Sequence, residues 1–568
     1  MQPLDAADPR AWASVAPHYA ALAAQPLAAG DVPAWLRHWS DVRKVVWEGW
    51  TGVKAAQEHD LADATAQAAL QRFTDQVMTP SEVADAGLAA RLLAVADWTP
   101  APQHAQLARR LRATAGGAGD AAAAAAEAAL APLVRRYEAL GPTLAFTLDG
   151  RVVPKPELDG QLRSPERGRR EAAWRAREAT WGARRAELDA LWRALAGGRR
   201  ELARAAGHPD FRAYHWRRSG RLDYAPADCL ALHEAVAAEV VPLAARRWEA
   251  RRAALGVATL RPWDLLADPG RRAPAPAFAD GAAFVAGVAP VLAALDPELG
   301  ALYARMGAAG ALDVGWAPGK RGGGTERPFP RTGLPFVRVG EAGTETGTGT
   351  LLHELGHAFH DHLTMTREGG CLAWDLEHPD EFSELAAFAL YFQAAPLLGR
   401  PGVGPWPPAA AADALAAFLE ETLIATLPAL TLADAFQHWA YAEAPAAAGA
   451  AGADAAWRAL TARYTPWVDW SGLEPVRGAG WQRGWSLFLQ PFYDLTYVVA
   501  MVGALQVWHA ARRDGAGAWR RYRAALALGG TRPLPELFAA VGARWPFHRA
   551  ALQEVVGLLE ATLSPEPA

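Results

Sequence analysis

Two histidines four residues apart with a glutamate between them, His353-Glu354-Leu355-Gly356-His357, form an HExxH string inside an apolar-flanked run from Thr350 to His362. On a helix, positions i and i+4 share a face, so both imidazoles can bind one zinc ion while Glu354 lies beside the water that the ion carries. A catalytic zinc takes a third protein ligand and leaves its fourth position to water or substrate. The segment from His378 to Phe388 offers that ligand. Pro379 can open a helix, and Leu385, Phe388 and Phe392 recur at helical spacing, which predicts a helix over 379–393. Asp380 and Glu381 suit the dipole at its N-terminus. Glu384, in the second turn between apolar residues, is the preferred ligand, and Glu381, three residues earlier on the same face, is the fallback.

Zinc held by His353, His357 and Glu384 implies hydrolysis, because the metal makes its water acidic enough to supply a nucleophile near neutral pH. Glu354 is then the general base that takes the water proton and the acid that returns it to a leaving amine. Tyr493 and Tyr497 are four apart, which predicts two phenols on one helix face, able to donate to an oxyanion without carrying charge. The same spacing also suits two core aromatic residues.

The elements that must place these groups are mostly helical. The zinc-binding helix is expected over 350–363. Arg169 to Ala206 and Ala231 to Leu255 carry apolar residues at three- and four-residue intervals with Arg and Glu between them, the pattern of packed bundles, with Pro242 expected to kink the second. Leu334 to Val339, bounded by Gly333 and Gly340, reads as a short isolated strand whose backbone could pair with an extended peptide. Gly319 to Gly324 has the wrong residue order for a phosphate loop and suggests a flexible flap. Gly116 to Asp120 reads as a hinge followed by a helix cap, and Ala446 to Ala456 as a surface loop.

Together with the zinc helix, several segments make the chain similar to the thimet oligopeptidase and oligoendopeptidase F family of metallopeptidases. Leu351 to His360 resembles the family's zinc helix, and Pro379 to Phe388 its third-ligand helix, with the ligand falling on Glu384. Gly319 to Gly324, Leu334 to Val339, Phe211 to Tyr214 and Arg261 to Leu265 also match, and Pro491 to Tyr497 with Gly503 to Gln506 resembles the substrate-facing helix. The resemblance strengthens the donor role for Tyr493 and Tyr497. It implies a mainly α, two-lobed metallopeptidase with a deep central cleft and a small β element beside the zinc helix. In that scheme 1–205 is an N-terminal helical lobe and 206–568 a catalytic lobe, including the substrate-facing helix over 486–508. Its implied activity is that of a zinc metalloendopeptidase, with one zinc ion, acting on short unfolded oligopeptides. Gly347, Ala387, Tyr391 and Ser486 depart from residues the family commonly has there (Asp, Ser, Glu and His), so the alternative is a zinc- or peptide-binding homologue with impaired turnover.

The 568 residues, 51% hydrophobic and 21% charged, can bury a core larger than one ordinary domain. A net charge of −4 gives no general attraction to nucleic acid or to an anionic membrane. The arginines between Arg163 and Arg185 are interleaved with Glu166, Glu171 and Glu178, as on a solvated, salt-bridged face. Two cysteines, Cys229 and Cys371, cannot make a disulfide framework, and no stretch reads as long and apolar enough to cross a membrane, so the expected location is cytoplasmic.

Overall fold

The computed structural model describes residues 3–114, 121–267, 269, 277–317, 319–341, 343–444 and 448–563. Helix makes up 72% of the described residues, which places the chain in the mainly α class. Strands among the described residues form two small sheets. β1 (Phe146–Leu148) and β2 (Arg151–Val153) are an antiparallel pair, while β3 (Leu312–Val314), β4 (Gly324–Phe329) and β5 (Leu334–Val339) form a sheet in the order β3-β5-β4. The expected strand over 334–339 is therefore present, but it is central rather than isolated. β3 pairs with it in parallel along Val337 to Val339, β4 pairs antiparallel along its whole length, and the edges fall on β3 and β4.

The chain folds into two compact units. The first contains Met1–Ala115, Ala273–Leu415 and Ala500–Trp545, and the second contains Gly116–Arg272, Ala416–Val499 and Pro546–Ala568. This alternation replaces the single division after residue 205 expected from the sequence. The helices that return to each unit do so through long-range packing of apolar faces, and no local residue pattern announces which face will meet which.

In the first unit, Val32–His59 is a helix whose Trp35, Leu36, Trp39, Val42 and Val45 join Phe73, Leu88, Leu92 and Trp374 in one core. The HExxH residues lie on a helix over Glu345–Thr366, longer than expected because Thr344 caps it and accepts from the Gly347 N–H at 3.1 Å. Pro379 precedes the Glu384 helix, Asp380–Ala394, which buries Phe382, Leu385, Ala386, Leu390 and Phe392. These two helices cross on small residues. A Cβ added at Gly356 would stand 2.5 Å from Ala387 Cα, so only glycine permits this approach. The requirement for a small partner also accounts for Ala387.

The sheet of the first unit is packed on both faces. Gly324 of β4 turns toward the HExxH helix, where a Cβ would lie 2.3 Å from Glu354 Oε1. Arg327 and Arg338, on the opposite face, reach Glu58 of the Val32–His59 helix. The glycine-rich segment before β4 is anchored and is not the flexible flap expected. Lys320 Nζ binds Asp313 Oδ1 at 2.7 Å, Gly319 O accepts from Leu61 N–H at 2.8 Å, and Arg321 N–H donates to Glu58 O at 3.0 Å.

In the second unit, Arg167–Ala183 and Arg185–Ala205 are successive helices, and Phe146, Leu148, Leu158, Trp174, Trp263 and Leu473 form a core. Pro242 is the second residue of the helix Val241–Ala254, and a π-helical turn over Val236–Val240 directly precedes that helix. The helix expected over 486–508 is broken into Trp485–Leu489 and Asp494–Arg513, because Pro491 lacks an N–H and Phe492 is left-handed at φ 61°. The described part of the alanine-rich stretch expected to be a loop begins a helix, Gly449–Tyr464, while the expected hinge at Gly116 to Asp120 lies outside the described residues. One expectation about membranes also changes. The helical run Pro408–Glu443 is long and apolar enough to span a bilayer, although Thr431, Asp434, Gln437 and His438 are buried within it, as in a core helix. Cys229 and Cys371 form no disulfide.

Candidate metal centre

The HExxH helix and the Glu384 helix bring His353, His357 and Glu384 together. Their ligand-capable atoms all lie within 4.8 Å of one another. Glu384 Oε2 stands 3.2 Å from His353 Nε2 and 3.7 Å from His357 Nε2. His357 Nδ1 faces Ser383 Oγ at 3.0 Å, which can hold the proton on Nδ1 and leave the Nε2 lone pair directed at the shared centre. The His353 ring packs edge-on against Phe388, with centroids 4.7 Å apart. Two imidazole nitrogens and one carboxylate oxygen make a donor set that suits zinc and leaves a coordination position open, so the residues present fit the metal. The fallback Glu381 is buried but stands outside this group.

Burial sets the protonation states. It pushes His357 down to about 4, which favours the neutral imidazole a metal needs. Burial also lowers His353, but the hydrogen bond and charge of Glu384 outweigh it and the net shift is upward. Glu354 is pushed up to about 7 by burial, with the His353 charge opposing. A cation held beside it would draw that value back toward the ionised form, which is the state a base requires.

Several neighbours carry no obvious signal in the sequence. Ser383 precedes the ligand Glu384, and nothing in its type or spacing separates it from a solvent-facing serine. Gly324 admits the Glu354 carboxyl against a strand. Asp361 lies seven residues beyond Glu354, two turns along the same helix face, and shares a hydrogen bond with Glu326 of β4. Burial pushes both of these carboxyls up, and the charges of Asp361 and Glu354 push Glu326 further, so the pair retains a proton between them. The periodicity of 354 and 361 was a usable signal for Asp361.

Tyr493 and Tyr497 lie in the second unit and do not share one helix face. Tyr493 belongs to the break at residues 490–493 and Tyr497 to the first turn of the next helix, with ring centroids 5.2 Å apart and nearly perpendicular. Of the departures noted in the sequence, Gly347 takes part in the helix cap, Tyr391 packs near Gly349, and Ser486 donates to Asp494 Oδ2 at 2.6 Å.

A second set of metal-capable side chains exists in that unit, His233, Asp434 and His438, all buried and with ligand atoms within 4.8 Å of one another. Asp434 Oδ2 is 2.7 Å from His233 Nε2 and 3.3 Å from His438 Nε2, while Arg212 Nη1 is 3.2 Å from His438 Nδ1. A guanidinium only donates, so His438 Nδ1 must accept and the ring proton sits on Nε2, where a metal would need the lone pair. The set is a carboxylate-imidazole network. Burial raises Asp434, but the His438 and His233 rings outweigh it and hold the carboxyl well below its usual range.

Residues 161–277 match the model of Peptidase family M3. No curated protein matches the chain. Among solved structures, the fold is similar to "PZ peptidase A with inhibitor 2", at TM-score 0.86 and 23% identity over 97% of this chain and 96% of that one. It is also similar to a putative oligoendopeptidase F from Bacillus anthracis str. Ames, at TM-score 0.80 and 21% identity over 97% and 95%. A third likeness is to oligoendopeptidase-F from Enterococcus faecium, at TM-score 0.64 and 15% identity over 97% and 96%. At these identities the structures establish the fold. The family match bears out the resemblance read in the sequence and supports a peptidase.

Proposed function

We propose that this chain is a peptidase of family M3, a zinc-dependent endopeptidase that hydrolyses short unfolded oligopeptides. The observation that carries the reading is the meeting of His353, His357 and Glu384 around one point, with the buried Glu354 one residue from a ligand. Zinc bound there would acidify a water and polarise the scissile carbonyl. Glu354 takes the proton of the attacking water, keeps it in a pocket walled by Gly324, and gives it to the departing amine. Burial lifts this carboxyl to about 7, near neutrality, so one group can both take the proton from water and return it to the amine. The outer strand β4, apart from Pro328, whose carbonyl already accepts from Thr51 Oγ1, offers main-chain N–H and C=O groups to an extended peptide, which gives affinity with little side-chain selectivity and suits an enzyme for varied oligopeptides.

An internally quenched peptide tests the reading. Zinc-loaded protein is expected to cleave it, and Glu354→Gln to lower the rate on the order of a hundred- to ten-thousandfold while zinc stays bound. Absence of cleavage across a varied peptide library, with zinc bound, would instead favour a binding protein without turnover.

A further inference from the structure

The face of the β3-β5-β4 sheet that turns away from Glu354 carries more positive charge than its own acids neutralise. Glu58, in the last turn of the Val32–His59 helix, is fully buried. Its Oε1 gathers three cationic nitrogens, Arg327 Nη2 at 2.9 Å, Arg321 Nη1 at 3.0 Å and Lys54 Nζ at 3.5 Å. Arg338 Nε stands 3.6 Å from Oε2, so four cations face one carboxylate. Among the described residues, none of the four makes an ion pair with any other acid. Asp313 and Glu354 act on Arg338 from further off, but Asp313 is paired with Lys320 at 2.7 Å and Glu354 lies across the sheet. The C-terminal end of the helix adds roughly half a negative charge, which leaves the balance well positive.

Tying a helix to a sheet does not need this arrangement. Two guanidinium groups already satisfy a carboxylate, and each further cation adds repulsion among its neighbours. The repulsion shows in the groups themselves. Burial lowers Lys54, Glu58 raises it, and Arg321 and Arg327 lower it again, so it ends below its ordinary value. Burial takes Arg338 below its ordinary value too, and the charge of Glu58 does not restore it. Donors are also left over. Arg327 Nε and Arg338 Nε are buried without a hydrogen-bond partner, although Arg338 Nη1 donates to the Arg321 carbonyl. The Trp50 ring covers one face of the Arg327 guanidinium at 4.8 Å and leaves its edge to in-plane acceptors. Arg338 is buried, Lys54 and Arg327 are partly exposed and Arg321 is half-exposed, so the cluster opens to solvent on the Arg321 side.

We propose that Lys54, Arg321 and Arg327, backed by Arg338, form a binding site for an oxyanion, either a carboxylate or a free tetrahedral anion. An oxyanion entering beside Arg321 meets three cationic nitrogens that already converge on one oxygen, and it offsets the charge that Glu58 leaves over. The site stands whether or not the peptidase reading does.

Sodium sulfate is the probe, because phosphate and carboxylates also bind zinc. The zinc-loaded full chain is unfolded by heat in rising sulfate and, separately, in sodium chloride of equal ionic strength, which controls for screening. Sulfate is expected to raise the midpoint along a saturable curve, well beyond chloride. The general salting-out effect of sulfate rises without saturating and is common to all variants. Arg321→Met and Lys54→Met, both at solvent-reaching positions, should each weaken sulfate about tenfold, and the double variant should lose the saturable part. A sulfate curve that is linear, that matches chloride, or that survives in the double variant overturns the site. Two internally quenched peptides then distinguish the sources, one acidic with a free C-terminal carboxylate and one neutral and amidated. If sulfate raises KM for the acidic peptide alone, the site takes the carboxylate of the peptide. If it changes neither KM, the site takes a free oxyanion. If neither peptide is cleaved, the peptidase reading is what fails, and the sulfate curves still decide the site.

Discussion

His353, His357 and Glu384 project from two long helices that meet through glycine and alanine backbone, whereas Tyr493 sits on a four-residue break whose backbone is held by side chains from distant segments. In the first region, position follows from helix periodicity and one close crossing, so few residues decide the geometry. In the second, Gln437 and Arg221, 55 and 271 residues away in the chain, hold the N–H and the carbonyl of the left-handed Phe492. A site on packed helices is robust to polar substitutions and fragile to added volume. A site on a clamped loop should show the reverse, and single substitutions can set the two against each other.

The largest effect is expected where the sheet that walls Glu354 is tied down. Glu58, fully buried, accepts from Arg321 Nη1 at 3.0 Å and Arg327 Nη2 at 2.9 Å and lies 3.5 Å from Lys54 Nζ. Burial pushes its carboxyl up, but Arg327, Lys54, Arg321 and Arg338 overcome this and hold it below the usual range. Glu58→Gln leaves those cations without their carboxylate and should cost about 3–5 kcal/mol in chemical denaturation. A loss below about 1 kcal/mol would mean that the cations are satisfied by solvent and that this face of the sheet is not a rigid backing.

Added volume at the helix crossing comes next. Gly356→Ala gains about 1 kcal/mol of helix propensity. The new Cβ, however, would face Ala387 Cα at 2.5 Å and the Ala386 carbonyl at 3.1 Å, and backbone atoms cannot rotate away. Overpacking of this kind typically costs about 1–3 kcal/mol beyond any propensity gain, so a net loss of about 2 kcal/mol is expected, together with a lower zinc content. A stabilised, fully loaded Gly356→Ala would show that the helices can separate without disturbing the ligands.

Ser383→Ala is gentler and separates metal binding from stability. It removes the partner of His357 Nδ1, so zinc affinity measured against a chromophoric chelator should fall about 10–100-fold. The metal-free protein should unfold within about 0.5 kcal/mol of the parent. Unchanged affinity would show that packing alone orients the ring.

The same contrast governs how much was legible in the sequence. The HExxH helix, the Glu384 helix and the strand over 334–339 were readable because each is a local pattern in which periodicity and residue type agree. Glu384 could be preferred over Glu381 because its neighbours are apolar. What failed was non-local or depended on a breaker whose weight was missed. The four-residue spacing of Tyr493 and Tyr497 reads as unbroken helix, yet Pro491 just before them lacks the N–H that continuity requires. The anchoring of Gly319 to Gly324 depends on Asp313 and the end of the Val32–His59 helix, the latter far away in sequence. Ser383, Gln437 and Arg221 have side chains that are equally at home in solvent, so only their contacts reveal them.

The smallest effect probes the clamp through pH. Asp494 joins Ser486 and Gln437, and burial pushes its carboxyl up to about 6, with the Ser486 hydrogen bond opposing. The folded chain therefore holds this proton more tightly than the unfolded chain, whose value is near 3.8. The stabilising contribution is complete below about 3.8 and is lost as pH climbs toward about 6, beyond which the ionised group adds no further slope. Between pH 5 and pH 7 the parent should lose about 1 kcal/mol from this residue, and Asp494→Asn should remove that part of the slope. The measurement is the difference in unfolding free energy between parent and Asp494→Asn at the two pH values, which cancels the titration of every other group. If the difference is flat with pH, Asp494 is ionised throughout. Its carboxylate would then hold Ser486 and Gln437 by charge-assisted hydrogen bonds, and the loop would be clamped equally at pH 5 and at neutral pH.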